Sequence, residues 1–182
     1  VSIIRLLDKV ITEQLIVCMP VGHARQLRQL CDYQEESAAG IMTTDFVSLN
    51  DEMTIEEVVD LLRQREISEH VRDLPVTNKN DELVGIVGLR ALLIGIRDET
   101  VANTMAHKFA AVHSETDREQ VAREFDRYDY LMLPVTDSLN RLLGIITVDD
   151  VIDIIEEEQT EDVQKTVGAG AGEAVYSGLA EK

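Results

Sequence analysis

The sequence is poor in basic residues, in cysteine and in long apolar runs, and each shortage excludes a class of protein. Only 17 basic residues stand against 35 acidic ones, a formal net charge of −18, so the overall field disfavours nucleic acid and anionic lipid and favours cations or a basic protein surface. The two cysteines, Cys18 and Cys31, form no CxxC pair and fall in apolar helical patterns, which predicts reduced core thiols rather than disulfides. The longest apolar run, residues 83–96, contains an Arg and is shorter than the ~20 residues of a membrane-spanning helix.

Signatures of catalysis and of zinc binding are also missing from the sequence. There is no GxSxG sequence and no plausible catalytic triad, and the four histidines are scattered rather than set at metal-ligand spacing. The Gly-rich stretch 168–172 follows no strand and precedes no Lys, so it predicts a flexible joint and not a phosphate loop. We therefore predict that the chain is soluble and is not an enzyme.

The first 35 residues have a helical pattern. Apolar side chains recur every three or four positions on both sides of Pro20, which predicts two short helices. Two such helices cannot bury their apolar faces alone, so they must pack on the rest of the chain, on a partner, or on a preceding part of the protein. Because position 1 is Val, we expect this segment to be the end of a longer domain.

The middle of the chain contains an internal repeat. Residues 39–62 align with 102–125 at an offset of 63, and residues 73–93 align with 132–152 at an offset of 59. Both copies keep a Met near the start, the sequence Leu-Pro-Val-Thr, and a Gly inside the next apolar run. The four-residue difference falls in a longer loop of the first copy, at 67–73. Two copies of one folding unit are therefore expected.

Each copy is predicted to fold as β-α-β-β-α. A short strand, Phe46–Leu49 or Ala110–His113, precedes a helix with a polar N-cap. Thr54 and Glu57 have the spacing of a capping box, and Asp117 is placed to cap the equivalent helix. Two strands joined by a polar turn follow, and another helix closes the unit.

This order, together with Gly-Ile-Ile-Thr-Val-Asp-Asp at 144–150, resembles the CBS domain, two of which pair into a Bateman module. The resemblance implies an α/β (α+β) fold of tandem CBS domains. It also implies that Thr147 and Asp150 bind an adenine nucleotide, ATP or AMP, in the cleft between the repeats. Thr147 is also expected to be a helix N-cap, whether or not a nucleotide binds. The first copy has Gly88 and Ala91 at these positions, so at most one cleft retains the full motif.

Several stretches are further similar to the MgtE magnesium-transporter family, namely residues 33–44, 128–130, 147–151 and 160–162. That resemblance implies four parts: the end of a helical N domain (1–37), two CBS domains (38–98 and 99–158), and a linker or start of a connecting helix (159–182). It also implies a transmembrane pore domain of the same protein as partner and a homodimer through the CBS pair. The expected location is the cytoplasmic face of the cell inner membrane.

The stretch DDVIDIIEEEQTED, residues 149–162, contains eight acids and no base. On a helix that advances about 100° per residue, four carboxylates fall on one stripe: Asp150, Asp153, Glu157 and Glu161. The opposite stripe is predicted to pack on the core: Val148, Val151, Ile152 and Ile155. Like charges at this spacing cost roughly 0.2–0.5 kcal/mol per pair, which is modest, so a merely solvated acidic face remains an alternative.

Paired carboxylates suit Mg²⁺, which takes oxygen ligands, keeps several waters and binds through one or two carboxylates per ion. More acids surround the helix that Asp117 caps. By the family resemblance, the Mg²⁺ ligands of this chain are Asp117, Glu119, Asp126, Asp129, Asp150, Asp153, Glu158, Glu161 and Asp162. At the position of Asp126, the family's contribution is expected to be a backbone carbonyl.

The resulting prediction is a Mg²⁺-sensing regulatory module of a magnesium transporter or channel. Without the ion, acidic surfaces repel one another; with it, they are bridged, and the closure gates transport. Two alternatives stay open. One is an adenine-nucleotide-sensing Bateman module that regulates an unrelated partner, and the other is a passive scaffold with an acidic surface.

Overall fold

The computed structural model describes residues 33–64, 72–152 and 154 of the 182-residue chain. The first repeat consists of α1 (Ala38–Ile41), β1 (Leu49–Asn50), α2 (Ile55–Gln64), β2 (Asp73–Thr77), β3 (Leu83–Gly88) and α3 (Leu89–Ile94). The second consists of α4 (Val101–Thr104), β4 (Val112–His113), α5 (Arg118–Tyr128), β5 (Met132–Thr136) and β6 (Leu142–Thr147), followed by a helix, α6, that begins at residue 148. Among the described residues, no helix combines the length and apolar character needed to cross a membrane. The helices predicted before residue 33 and the predicted linker 159–182 lie outside the described residues.

Each repeat builds a three-stranded mixed sheet. β1 is parallel to β2 and β2 is antiparallel to β3, and β4, β5 and β6 repeat the arrangement. The register shifts at equivalent places, between Val76 and Thr77 and between Val135 and Thr136. The predicted α/β fold and the predicted β-α-β-β-α order are confirmed.

Two details of that prediction are wrong. The strands predicted at 46–49 and 110–113 are shorter, because only Leu49–Asn50 and Val112–His113 pair with the next strand. A one-turn helix, α1 or α4, also precedes each of these strands. Four residues are too few to display a 3.6-residue period, so no helical pattern is visible at these positions.

The opening turn of each repeat packs in the core of the other repeat. Ala38 of α1 and the adjacent Met42 are buried in a cluster with Phe125 of the second repeat. Val101 of α4 and the adjacent Met105 are buried in the cluster of the first repeat. Each core is therefore completed by a segment of the other repeat.

A glycine in the third strand of each sheet makes room for the exchanged methionine. A Cβ on Gly144 would lie 2.6 Å from Met42 Sδ and 2.7 Å from the Thr43 carbonyl oxygen, and one on Gly85 would lie 2.8 Å from Met105 Cγ. Such distances are below van der Waals contact. The Met and the Gly that both copies share are thus contact partners across the repeats.

The two β-hairpin turns meet between the repeats. The Leu142 N–H donates to the Asp81 carbonyl oxygen at 3.0 Å, and the Leu83 N–H donates to the Asn140 carbonyl oxygen at 2.9 Å. Asp81 and Asn140 are equivalent residues with φ of 63° and 59°, in the left-handed region that Asp and Asn tolerate better than most side chains. The contact relates the two repeats by an approximate twofold axis.

The start of α6 only partly follows the predicted stripe. Val151 and Ile154 are buried, at 0% and 5% exposure, whereas Ile152 is 46% exposed. The prediction that Ile152 packs on the core is therefore wrong. The helix directs Val151 and Ile154 inward, and Ile152 lies about 100° from Val151, on the flank facing away from Ile154. Ile155 lies outside the described residues.

Candidate functional site

The acids at the start of α5 have local partners. Asp117 is the N-cap, as predicted, and its Oδ1 accepts from the Glu119 N–H at 2.9 Å. Glu119 lies in the first turn, with Oε2 3.7 Å from Arg123 Nη2. Both acids are exposed, and the helix dipole stabilises negative charge at this end. Capping and the dipole therefore account for these two acids even without a ligand.

The acids at the end of α5 lack such an explanation. Asp126 and Asp129 are exposed, and neither forms an ion pair with any residue that the structure describes. Asp129 ends the helix in a left-handed conformation, with φ of 52°, and its N–H donates to the Phe125 carbonyl oxygen. Arg127 lies over the Tyr128 ring, with 5.4 Å from Cζ to the ring centre. Negative charge at a helix C-terminus is unfavourable. Neutralisation of these two carboxylates by a bound cation would therefore stabilise the helix more than neutralisation of Asp117 or Glu119.

The start of α6 supplies another exposed acid. The Thr147 N–H and Oγ1–H both donate to Asp150 Oδ2, at 3.1 and 2.6 Å. Thr147 directly precedes the helix and Asp150 is three residues further on, so the pair forms part of a capping box. The N-cap explanation of Thr147 is thereby supported. Asp150 Oδ1 has no hydrogen-bond partner within the described ranges and stays available.

Chain connectivity brings the end of α5 close to the start of α6. The Val148 N–H donates to the Leu131 carbonyl oxygen at 3.1 Å. We call the exposed acids of these two places the acidic surface: Asp126, Asp129, Asp149 and Asp150. Asp149 was not singled out from the sequence. Asp117 and Glu119 are at the other end of an 11-residue helix, about 16 Å away along its axis.

The structure leaves part of the predicted ligand set untested. Asp153, Glu158, Glu161 and Asp162 lie outside the described residues. Over 33–64, 72–152 and 154, no three or more His, Cys, Asp or Glu side chains come together as a group that could hold a metal ion. The described acids thus form a surface and not a closed cage.

Most of the acidic surface has no acidic equivalent in the first repeat, although Glu66 aligns with Asp129. At equivalent positions the first repeat has neutral or basic residues: Thr54 for Asp117, Arg63 for Asp126, Arg90 for Asp149 and Ala91 for Asp150. Exposed acids on α2 are paired instead, with Asp60 Oδ1 2.9 Å from Arg63 Nη1 and Glu56 Oε1 3.3 Å from Arg97 Nη1. The fold therefore does not require these acids, since the same fold is built without them.

A cleft of about 260 Å³ lies between the repeats. Its lining residues are Phe46, Ser48, Thr77, Asp81, Arg141, Leu142 and Leu143. Thr147 and Asp150, the predicted nucleotide-binding residues, are not among them. Sequence reasoning missed this cleft because residues from both repeats form it, and no single stretch carries its signature.

Arg141, the basic residue of this cleft, is neutralised by Asp137. Arg141 Nε and Nη2 lie 2.8 and 2.7 Å from Asp137 Oδ2. Burial raises the pKa of Asp137, but hydrogen bonds from the Arg141 and Leu139 N–H groups and from the Arg141 side chain outweigh it, so the pKa lies below its ordinary value of 3.8. Arg141 is thus held in place rather than left free for an anion.

Comparison with known proteins shows which family this chain belongs to. The CBS domain family matches residues 38–98 and 100–157. The magnesium transporter MgtE of Thermus thermophilus is 38% identical over 153 residues, which cover 84% of this chain and 34% of that protein. The chain thus spans about a third of the length of that relative.

Solved structures agree with the sequence relatives. The crystal structure of the soluble part of a magnesium transporter superposes with a TM-score of 0.78 at 34% identity, over 85% of this chain and 61% of that one. The cytosolic domain of the Mg²⁺ channel MgtE in complex with ATP superposes with a TM-score of 0.73 at 34% identity, over 82% of this chain and 61% of that one.

Proposed function

Because this chain belongs to the CBS domain family and carries a CBS pair homologous to the cytosolic domain of MgtE, we propose that it is the Mg²⁺-sensing regulatory module of a magnesium transporter or channel. Its role is regulatory and not catalytic. We assign residues 1–37 to the end of a helical N domain, 38–98 and 99–158 to the CBS pair, and 159–182 to the linker towards a pore domain in the membrane. The module then lies at the cytoplasmic face of the cell inner membrane.

One observation carries this proposal: the second repeat has exposed acids at Asp126, Asp149 and Asp150, where the first repeat has Arg63, Arg90 and Ala91. Asp126 and Asp129 lie at a helix C-terminus, where negative charge is unfavourable, and Asp150 uses only one carboxylate oxygen to accept from Thr147. Carboxylates that no described base compensates support a role in binding a cation. The other acids assigned by family resemblance, Asp153, Glu158, Glu161 and Asp162, lie outside the described residues.

The mechanism follows from the coordination chemistry of Mg²⁺. The ion accepts one or two carboxylates and retains waters, so it binds best where two acidic elements meet. With the ion absent, the acidic surface repels an acidic neighbour; with the ion bound, the two are bridged. Mg²⁺ shifts this equilibrium only by its greater affinity for the bridged state. Closure at high Mg²⁺ moves the connecting segment and gates the pore.

Thermal denaturation in the presence of Mg²⁺ tests the proposal. With Mg²⁺ at about 100 times its dissociation constant, the melting temperature should rise by about 5–10 °C. The variant Asp150→Asn keeps an oxygen acceptor for Thr147 but removes the charge, so it should lose a large part of that rise. The matched control is Asp60→Asn, an exposed helix acid of the first repeat, which should respond as the parent does.

Two results would contradict Mg²⁺ sensing. One is a melting temperature that stays constant up to tens of millimolar Mg²⁺. The other is an equal Mg²⁺ response in the parent and in Asp150→Asn. Ca²⁺ in parallel samples separates a specific response from general screening of the net charge, because screening acts on any divalent salt.

The same assignment includes a homodimer formed through the CBS pair. Leu93, Ile94 and Ile96 at the end of α3 are 82%, 77% and 70% exposed. Ile152, the equivalent of Leu93, is also exposed. A second copy of this chain would bury both places through a twofold contact. Sedimentation velocity should show a dimer that Leu93→Asp dissociates and the control Leu139→Asp, on an exposed hairpin turn, does not; a monomeric parent would refute this partner.

Adenine nucleotide is the second candidate ligand, supported by the ATP complex of a relative and by the cleft between the repeats. The first repeat lacks the Thr and Asp of the nucleotide motif, having Gly88 and Ala91, and Gly88 caps α3 without a side-chain hydrogen bond. ATP added without Mg²⁺ should therefore raise the melting temperature less than Mg²⁺ does. A response to ATP alone would favour nucleotide sensing over Mg²⁺ sensing.

A further inference from the structure

The cleft between the repeats is set apart from the nucleotide motif. Its lining includes the start of β6, at Leu142 and Leu143, and the end of β2, at Thr77. Thr147 ends β6 and lies about 17 Å from Leu142, at a rise of ~3.3 Å per residue. The cleft's volume of about 260 Å³ equals that of roughly nine waters in the liquid. It is thus a separate candidate site, of a size for a small molecule.

One residue of the cleft cannot form the hydrogen bond that its equivalent forms. Asn140 Nδ2–H donates to the Leu83 carbonyl oxygen across the repeats, at 2.9 Å. The approximate twofold axis puts Asp81 in the place of Asn140, and Leu142 in the place of Leu83. An ionised carboxylate has no proton to donate, and no described side chain donates to the Leu142 carbonyl oxygen. The Asp81 carboxylate and this carbonyl oxygen therefore lack the donor that the Asn140 amide supplies in the other repeat.

A buried hydroxyl in the cleft lacks a partner as well. Thr77 lines the cleft and is only 8% exposed. Its hydroxyl forms no hydrogen bond with any residue in the part of the chain that the structure describes. Most buried polar side-chain atoms are hydrogen-bonded, and leaving one without a partner costs free energy. A bound molecule that bonds to the Thr77 hydroxyl would recover that cost, which is a second and independent indication of a ligand.

The charges of the cleft favour a cation over an anion. Arg141 is paired with Asp137 through Nε and Nη2, so the charge left unpaired in the described lining is the carboxylate of Asp81. The net charge of −18 on the whole chain adds a field that attracts cations and repels phosphates. Phe46 contributes a half-buried aromatic ring to the lining, and the face of such a ring attracts a cation. An ammonium group therefore fits this lining better than a phosphate does.

We propose that the cleft binds a small organic ammonium ion with an apolar body. A primary ammonium group has three N–H donors, which match the Asp81 carboxylate, the Leu142 carbonyl oxygen and the Thr77 hydroxyl. The apolar body packs on Phe46 and Leu143. A metal ion is a poor match, because Mg²⁺ requires near-octahedral oxygen ligands and the described residues contain no cluster of acids or histidines suited to a metal. This site lies at the hairpin turns and is independent of Mg²⁺ sensing at the acidic surface.

Three molecules with one skeleton test the class of ligand on the complete 182-residue chain. Phenethylammonium is the cation, phenethyl alcohol the neutral analogue and hydrocinnamate the anion, all at the same ionic strength. Phenethylammonium should shift the amide NMR signals of Thr77, Asp81 and Leu142 saturably, with a dissociation constant on the order of 1 mM. It should bind at least ~5-fold more tightly than the other two molecules, because its hydrogen bonds to the cleft are charge-assisted.

Two variants test the assigned contacts. Asp81→Asn should fold normally, because Asn140 occupies the equivalent left-handed turn, and should weaken phenethylammonium binding by about 5-fold. Thr77→Val removes only the hydroxyl and should weaken binding by about 2–5-fold, whereas the control Asp60→Asn on α2 should bind as the parent does.

Four results would overturn the proposal. They are no shift of the three cleft amides, equal binding of phenethyl alcohol, tighter binding of hydrocinnamate or ATP at these amides, and an unchanged dissociation constant in Asp81→Asn.

Discussion

The two repeats share a backbone and differ in the surface that the backbone carries. Hydrogen bonds recur residue for residue: Ala38 bonds to Thr116 as Val101 bonds to Met53, and the left-handed turns at Asp81 and Asn140 coincide. The charges recur only in part: Glu119 and Asp129 have acidic equivalents, Glu56 and Glu66, whereas Asp126, Asp149 and Asp150 have neutral or basic ones. Interior contacts and turns thus specify the fold, while exposed positions are free to differ and can acquire a binding role.

The largest effect should come from the cores, where the equivalent aromatic and aliphatic residues are buried unequally. Phe125 is 3% exposed, whereas its equivalent Leu62 is half-buried. Phe125→Ala should lower the free energy of unfolding by about 3–5 kcal/mol, and Leu62→Ala should cost clearly less. Urea denaturation of both variants measures the difference. Equal losses would mean that the two cores are equally packed.

Alanine at the two paired glycines should be next in size. A Cβ at Gly144 would lie 2.7 Å from a backbone oxygen, that of Thr43, whereas at Gly85 the nearest backbone oxygen, that of Ala106, is 3.2 Å away. A methionine side chain can move aside but a strand backbone cannot, so Gly144→Ala should cost about 1–3 kcal/mol and Gly85→Ala less. Thermal denaturation of both variants provides the comparison, and the reverse order would show that the methionine contact decides.

The helix caps should respond alike, although their charges differ. Asp117 accepts from the Glu119 N–H, and Thr54 accepts from the Glu57 N–H while Glu57 accepts from Thr54. Asp117→Ala and Thr54→Ala should each cost about 1 kcal/mol. Asp117→Asn, which keeps the acceptor, should cost a few tenths at most. A full loss in Asp117→Asn would mean that charge, rather than the hydrogen bond, makes this cap.

The smallest effect should be a pH dependence confined to the second hairpin turn. Because the folded-state pKa of Asp137 is lowered, its contribution is complete above the unfolded value of about 4 and is lost as the pH falls through the lower folded value. Asn78, the equivalent residue, accepts the same two backbone bonds and does not titrate. Asp137→Asn should therefore fold normally and lose less stability than the parent between pH 4 and pH 2, measured by urea denaturation.

The order of elements and the helix starts were predictable because they depend on local sequence. The capping box of Thr54 and Glu57 and the cap at Asp117 follow from residue type and spacing alone. The packing of Met42 on Gly144 could not be predicted in this way. Both residues were recognised as features of the repeat, but the sequence pattern does not show that each methionine contacts the glycine of the other repeat. Ile152 was misplaced because one apolar residue on the flank of a helix leaves the pattern unchanged.

The candidate site was predictable as a set of residues and not as an arrangement. An excess of acid in the second repeat is visible in the sequence. Which acids are stabilised and which are not depends on where α5 begins and ends. The helix dipole stabilises the charge of Asp117 at the start of α5 and destabilises the charge of Asp129 at its end. The cleft was not predictable, because it exists only once the turns at Asp81 and Asn140 meet.

The packing of α1 and α4 in each other's repeat suggests how a pair of fused repeats could have arisen. Two identical single-repeat molecules that traded these turns would build the same two cores as a swapped dimer. Joining their genes end to end would preserve every interior contact while releasing the two outer faces to diverge. The crossing of α1 and α4 is what such a fusion would leave behind, and it obliges both halves to fold together.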